Sequence, residues 1–206
     1  SSSVETFRDA VAASPMPTLG SDAEQSLPAS LDAPAIHVPR PTVLRGPGGV
    51  ASGFPHTPVG AVAQLAEIDQ TALMGMSVQT ARDVYVAWAL PGGVGPDRWV
   101  ITGNVSSFVS TLARSGAGTS SDVSVAPAGG QVKATDGPDW VIACVLLDVR
   151  VTVRVEARLG YGHCERMQWS DGRWQLAPGV PPARPRPIAP GSEAAVKDGW
   201  LTWTTP

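Results

Sequence analysis

An apolar residue recurs at almost every second position through residues 140–169, the longest regular pattern in the chain. The apolar residues fall at every second position on both sides of Arg154: Val141, Ala143, Val145, Leu147, Val149 and Val151, then Val155, Ala157, Leu159, Tyr161, Met167 and Trp169. Because successive side chains of a strand point to opposite faces, this period predicts β-strands and not a helix. We predict one long β-hairpin that reverses near Arg154 and has one apolar face.

Cys144 and Cys164 are the two cysteines of the chain, and they lie at mirror positions in this hairpin. Antiparallel pairing about Arg154 places them opposite each other, within reach of a disulfide. Such a bond contributes on the order of 3 kcal/mol by restricting the unfolded chain. Since disulfides persist in oxidising compartments, the pair predicts an extracytoplasmic location in the cell envelope.

Three segments before residue 115 have the periodicity of amphipathic helices. The first follows the N-cap Thr57, with Pro58 in its first turn. The second runs from Ser77 to about Leu90, and the third ends before Gly116. Helices first and strands later predict an α+β fold, with three N-terminal helices packed on a curved antiparallel sheet of about four strands. This layout resembles the cone of the nuclear-transport-factor-2-like (cystatin-like) superfamily.

Composition predicts how the chain is divided into a linker and a folded domain. Residues 1–50 are rich in proline, serine and alanine, which indicates a linker or arm with a short helix near residues 4–13. The alternative is a segment that wraps its own domain. Residues 51–206 are predicted to form a single domain, onto which the proline-rich C-terminal tail docks back through Trp200 and Trp203.

Charge and hydropathy limit the classes of partner that the chain could bind. The net charge of −3 and the charged fraction of 16% give no basic patch, which argues against nucleic acid. No apolar run approaches the roughly 18 residues that a membrane span requires. The chain begins at Ser1 without a methionine, so we expect that an N-terminal anchor or signal was removed upstream.

Two motifs resemble recurring motifs of actinobacterial extracytoplasmic proteins encoded on integrative and conjugative elements or plasmids. They are Gly-Phe-Pro-His-Thr-Pro-Val-Gly-Ala-Val at residues 53–62 and Gly-His-Cys-Glu-Arg-Met-Gln-Trp at residues 162–169, followed by Asp-Gly-Arg-Trp at residues 171–174. That group is similar in layout to the extracytoplasmic domains of type IV secretion scaffold proteins and Gram-positive conjugation proteins.

The resemblance implies a role without catalysis. Proteins of that layout share the nuclear-transport-factor-2-like fold, sit behind a single membrane anchor and act by assembly. It therefore implies partners among the proteins of a membrane-associated transfer assembly, with a homo-oligomer left open. It supplies no catalytic residue and no cofactor.

The alternative function is a small-molecule-binding or isomerase- or lyase-like domain that uses the cavity of the cone. Acid–base candidates are Asp83, Tyr85, Asp148, Tyr161 and His163, and strand parity separates Asp148 from Tyr161. The candidate cavity-lining residues are Tyr85, Trp88, Phe108, Tyr161, His163 and Trp169. A deep cavity lined by both tyrosines and an ionisable partner favours this alternative, whereas a cone plugged by Trp88, Phe108 and Trp169 argues against it.

The remaining polar residues have structural interpretations. Three scattered histidines and two cysteines have no zinc-binding spacing, so no metal site is predicted. Glu165 and Arg166 flank Cys164 and are predicted to form cross-strand ion pairs. His56 is predicted to close the start of the first of the three helices.

Overall fold

The computed structural model describes residues 2–16, 33–115, 122–152 and 156–206, and its architecture is α+β. The α-helices in these residues are α1 (Ser2–Ala13), α2 (Pro58–Leu73), α3 (Val78–Trp88), α4 (Val100–Arg114) and α5 (Glu193–Lys197). The three segments with helical periodicity form α2, α3 and α4. Short 3-10 turns lie at Pro47–Gly49 and at Met74–Met76.

The described strands form one mixed six-stranded sheet. They are β1 (Ala35–His37), β2 (Asp122–Thr135), β3 (Trp140–Thr152), β4 (Glu156–Ser170), β5 (Arg173–Leu176) and β6 (Leu201–Thr204), in the spatial order β1-β6-β2-β3-β4-β5. All neighbours are antiparallel except β1 and β6. The prediction of about four antiparallel strands is wrong, because short segments near both ends of the chain add a parallel pair at one edge.

The predicted hairpin is formed by β3 and β4. Cys144 pairs directly with Cys164, and a disulfide joins them, which confirms the predicted bond. Both cysteines are buried. The register continues without a shift from Trp140 to Thr152, while the reversal predicted near Arg154 lies outside the described residues.

Both faces of β3 are buried, so the prediction of one apolar face is wrong. The odd-numbered residues from Val141 to Val151 contact the layer of α2, α3 and α4. On the other face, Ile142, Cys144 and Leu146 pack with residues of α1, α5 and the C-terminal tail. Strand β3 is therefore covered on both sides, and its even-numbered residues from Trp140 to Leu146 are apolar as well.

Helix α1 lies within the segment interpreted as an arm, and it packs on the second face of the sheet. Arg166 is 1% exposed and forms ion pairs with Glu5 and Asp9 of α1. Arg8 of α1 lies 2.7 Å from Asp136. The prediction of a cross-strand ion pair for Arg166 is therefore wrong, because its carboxylate partners come from α1.

Helix α2 is the central helix of the larger layer, and its start is fixed by sequence. The Thr57 hydroxyl accepts a hydrogen bond from the Gly60 amide at 3.1 Å, which confirms the predicted N-cap. Gly60 is required here, because a Cβ at this position would lie 2.0 Å from the Pro55 carbonyl oxygen. Helix α2 packs along β3, and its Asp69 contacts His163 of β4.

Candidate functional site

A cavity of about 250 Å³ lies between α4 and the loop before it, residues 160–166 of β4, and residues 176–187, which run from the end of β5 into the tail. Apolar groups make up part of its wall, including Val94, Trp99, Val100, Leu176 and Val180. The polar side chains on its wall are Tyr85, Arg98, Asn104, Tyr161, His163, Glu165, Arg166 and Arg184. Apolar walls with a few convergent polar groups are typical of a small-molecule site.

Three of the six residues predicted to line a cavity are on its wall: Tyr85, Tyr161 and His163. The other three are not on its wall: Trp88, Phe108 and Trp169. The two tyrosines and the histidine come from α3 and from alternate positions of β4. Two tyrosines with an ionisable neighbour on one cavity wall are the arrangement that the sequence analysis gave as favouring the alternative function.

The other three rings hold the helices and the sheet together. The Trp88 indole donates a hydrogen bond to the Pro47 carbonyl at 2.9 Å, and its side chain is fully buried. Trp169 stacks on His56 with 4.2 Å between ring centroids. Phe108 packs, partly buried, against the core beneath α4. These rings therefore do not plug the cavity.

His163 contacts Asp69, a residue that the sequence analysis missed. Its Nδ1 lies 2.7 Å from Asp69 Oδ2, and the two side chains are only 5% and 0% exposed. The signal was present in α2, where Asp69 interrupts the apolar stripe four residues after Leu65 and one after Ile68. Because a buried carboxylate is costly without a partner, this position pointed to a buried basic group.

Glu165 lies on the same face of β4 as His163, two residues further along. Its Oε1 accepts a hydrogen bond from the Trp99 indole at 2.8 Å and lies 3.2 Å from His163 Nε2. Within the described residues, that nitrogen has no hydrogen bond of acceptable geometry. The prediction of a cross-strand ion pair for Glu165 is wrong, since its partners are Trp99 and His163.

Two carboxylates keep the proton on His163. Burial by itself lowers the pKa of His163, but Asp69 and then Glu165 outweigh that effect and raise the pKa to about 10. Burial raises the pKa of Asp69 in spite of the neighbouring His163. The pair has zero total charge whether it is an imidazolium with a carboxylate or an imidazole with a carboxylic acid. We assign the proton to His163, so its ring has no free lone pair at neutral pH.

Tyr161 keeps its hydroxyl proton and is not a base. The Asn104 side-chain amide donates to the Tyr161 hydroxyl oxygen at 2.8 Å. Burial raises the pKa of Tyr161 above its usual value, so the hydroxyl keeps its proton at neutral pH. Tyr85 is held similarly, because its hydroxyl oxygen accepts from the Gly95 amide at 3.0 Å.

The other two carboxylate candidates lie away from the cavity. Asp148 is on the opposite face of the sheet from Tyr161, which confirms the separation predicted from strand parity. Its carboxylate lies 2.7 Å from Arg158 Nε, and this hydrogen bond holds the pKa of Asp148 below its ordinary value. Asp83 is exposed on α3 and accepts a hydrogen bond from Gln79.

Two arginines lie at the solvent side of the cavity. Arg98 precedes α4 and Arg184 belongs to the tail, and both are exposed. Neither side chain has a hydrogen-bond or ion-pair partner among the described residues. Arg184 is close enough to Tyr161 to act on its pKa. The mouth of the cavity is therefore positively charged.

No group of three or more His, Cys, Asp or Glu side chains is placed to hold a metal ion in the described part of the chain. None of the helices described in it combines the length and the apolar character needed to cross a membrane. Compared with protein-family models, curated proteins and solved structures, the chain matches none. The resemblance to proteins of conjugative elements therefore stays a prediction.

Proposed function

We propose that this chain is a non-enzymatic, extracytoplasmic domain of a membrane-anchored protein, and that it acts in a conjugation- or type IV secretion-related assembly. The observation that carries the proposal is the buried disulfide between Cys144 and Cys164, which suits an oxidising compartment. The two motifs at residues 53–62 and 162–174 support the assembly role by resemblance.

We also propose that the domain has the fold of a nuclear-transport-factor-2-like cone. A nuclear-transport-factor-2-like cone is supported by α2, α3 and α4, which precede the long strands and pack on one face of the sheet. In this interpretation α1, α5 and the tail are additions that cover the outer face of the cone. The cavity then lies at the edge where α4 meets β4.

The protonation of His163 and Tyr161 supports a non-enzymatic role, because neither of these two candidates from the sequence can act as a general base. An isomerase or lyase needs a general base that is poised near neutral pH. His163 is held as an imidazolium by Asp69 and Glu165, with its pKa raised to about 10. Tyr161 keeps its hydroxyl proton. Neither of these two side chains is therefore available as a base at neutral pH.

A transfer assay tests the proposed role. Deleting the gene in a donor strain should reduce transfer of the element, and the wild-type gene should restore it. A Tyr161→Phe variant should restore transfer equally well, because a non-enzymatic domain does not use that hydroxyl for proton transfer. Unchanged transfer in the deletion strain would contradict the assembly role. Failure of Tyr161→Phe at normal protein level would contradict the non-enzymatic role.

A further inference from the structure

The buried side of the cavity has one uncompensated negative charge. Asp69 and His163 together have zero total charge, and Glu165 adds one carboxylate beside them. Glu165 uses Oε1 for Trp99 and His163, whereas its Oε2 has no partner among the described residues. The Glu165 side chain is 12% exposed and lies on the cavity wall. An open carboxylate oxygen therefore faces the cavity from its buried side.

The solvent side of the same cavity has the opposite charge. Arg98 and Arg184 approach it from two different segments and are unpaired within the part of the chain that the structure describes. Nearby arginines are already committed: Arg166 binds α1, and Arg186 lies 2.6 Å from Asp198. The two free guanidinium groups can therefore bind a carboxylate from outside the chain.

The walls between these two ends are apolar and the space is small. Val94, Val100 and Leu176 contribute aliphatic surface to the cavity. Its volume of about 250 Å³ is below the roughly 300–1,000 Å³ typical of sites for drug-sized ligands. A fitting ligand is therefore small, with an apolar body and charged groups at one end or both.

We propose that this cavity binds a small zwitterion of the amino-acid class with an apolar side chain. The ammonium group contacts Glu165, the carboxylate contacts Arg98 and Arg184, and the side chain lies on the aliphatic wall. Glu165 disfavours an anion without an amine, and the arginines disfavour a cation without a carboxylate, because each would leave one charged end unmatched. This inference goes beyond the assembly role proposed above and names a ligand class for the cavity.

Isothermal titration calorimetry on the full 206-residue chain, without reductant, tests the ligand class. The probes are L-leucine, N-acetyl-L-leucine, which lacks the ammonium charge, and L-leucinamide, which lacks the carboxylate. We expect leucine to bind, and each analogue to bind about tenfold more weakly or worse, because each loses charge-assisted hydrogen bonds.

Two variants and one control test which residues contact each end of the ligand. Glu165→Gln should weaken leucine binding about tenfold but should not weaken binding of N-acetyl-leucine, because the variant also removes the carboxylate that repels this anion. Arg184→Gln should weaken leucine binding but should not weaken binding of leucinamide, because the variant also removes a cation that repels it; Arg184 is exposed, so we expect the variant to fold normally. Arg45→Gln is the matched control, because Arg45 is exposed and lies outside the cavity wall, and it should bind leucine as the wild type does.

Each contrary outcome overturns a specific part of the inference. If N-acetyl-leucine binds as tightly as leucine, the ligand's ammonium group does not contact Glu165. If leucinamide binds as tightly as leucine, the ligand's carboxylate does not contact the arginines. Absence of binding for all three probes at millimolar concentration overturns the ligand class. None of these results bears on the compartment of the protein, which the redox state of the cysteines tests separately.

Discussion

Asp69 and His163 form a buried ion pair, in which each side chain compensates the charge of the other. Removing one partner leaves the other as an uncompensated buried group, which is among the larger single-residue costs in proteins. Glu165 reinforces the contact from the other side of the ring. The stability of the domain and the charge of the cavity therefore depend on the same three side chains.

Asp69→Asn should lower the free energy of unfolding by about 2 kcal/mol, because the buried imidazolium loses a charged hydrogen-bond partner. Urea denaturation without reductant measures the loss. Asp83→Asn is the matched control, since Asp83 is an exposed helical carboxylate, and it should change stability by less than about 0.5 kcal/mol. Equal losses in the two variants would refute the buried contact.

Stability should fall as the pH rises from about 6.5 to about 10. The pKa of His163 is raised from 6.5 to about 10, so the folded state binds this proton more tightly than the unfolded state. Its contribution is fully present below the unfolded pKa and is lost as the pH rises through the folded one. Urea denaturation across this pH range should show a smaller decline of the unfolding free energy in Asp69→Asn than in the wild type. If the difference in stability between the two proteins does not depend on pH, the proton is not held by the contact between Asp69 and His163.

The disulfide could be predicted from the sequence, while the buried contact could not. Hairpin pairing is fixed by alternation, so Cys144 and Cys164 had to meet once the reversal was located. Asp69 and His163 are 94 residues apart, and no local pattern states which buried base a helical carboxylate will contact. Only the packing of α2 against the sheet supplies that information.

At the scale of elements, helix α1 is held to the sheet mainly by charge. Arg166 contacts two carboxylates of α1, and Lys133 donates to the Ala12 carbonyl at 2.8 Å near the C-terminal end of the helix. Val4 and Phe7 of the same helix are 46% and 49% exposed. The apolar contact of α1 is thus limited, and its ion pairs decide whether it stays docked.

The double variant Glu5→Gln, Asp9→Asn should release α1, because it leaves the 1% exposed Arg166 without charged partners. Hydrogen–deuterium exchange should then become fast throughout α1. Glu193→Gln is the control, since Glu193 is an exposed acidic residue in the first turn of α5, and it should leave exchange in α1 unchanged. Unaltered protection of α1 in the double variant would show that apolar packing suffices.

Elements with long periodic patterns were predictable, and short ones were not. Helices α2, α3 and α4 each present an apolar stripe over three or more turns. Strands β1 and β6 have three and four residues, too few to show a period, and they pair across almost the whole chain. The second apolar face of β3 could have been predicted, because the unbroken apolar run from Trp140 to Leu147 is typical of a strand buried on both faces.

At the scale of the molecule, the disulfide joins β3 and β4, two interior strands of a sheet that is covered on both faces. Closing this loop restricts the unfolded chain and contributes on the order of 3 kcal/mol. The disulfide and the cavity both involve β4, since Cys164 lies between His163 and Glu165 in the sequence. A reduced protein would therefore lose stability next to the candidate site.

Quantifying thiols in cells that make the full-length protein tests the extracytoplasmic assignment most directly. Cells are quenched in acid, and the protein is denatured so that burial does not mimic a disulfide, then treated with a maleimide before and after reduction. The account predicts no labelling before reduction, and labelling of both Cys144 and Cys164 after it. Labelling of either cysteine without reductant would contradict the assignment.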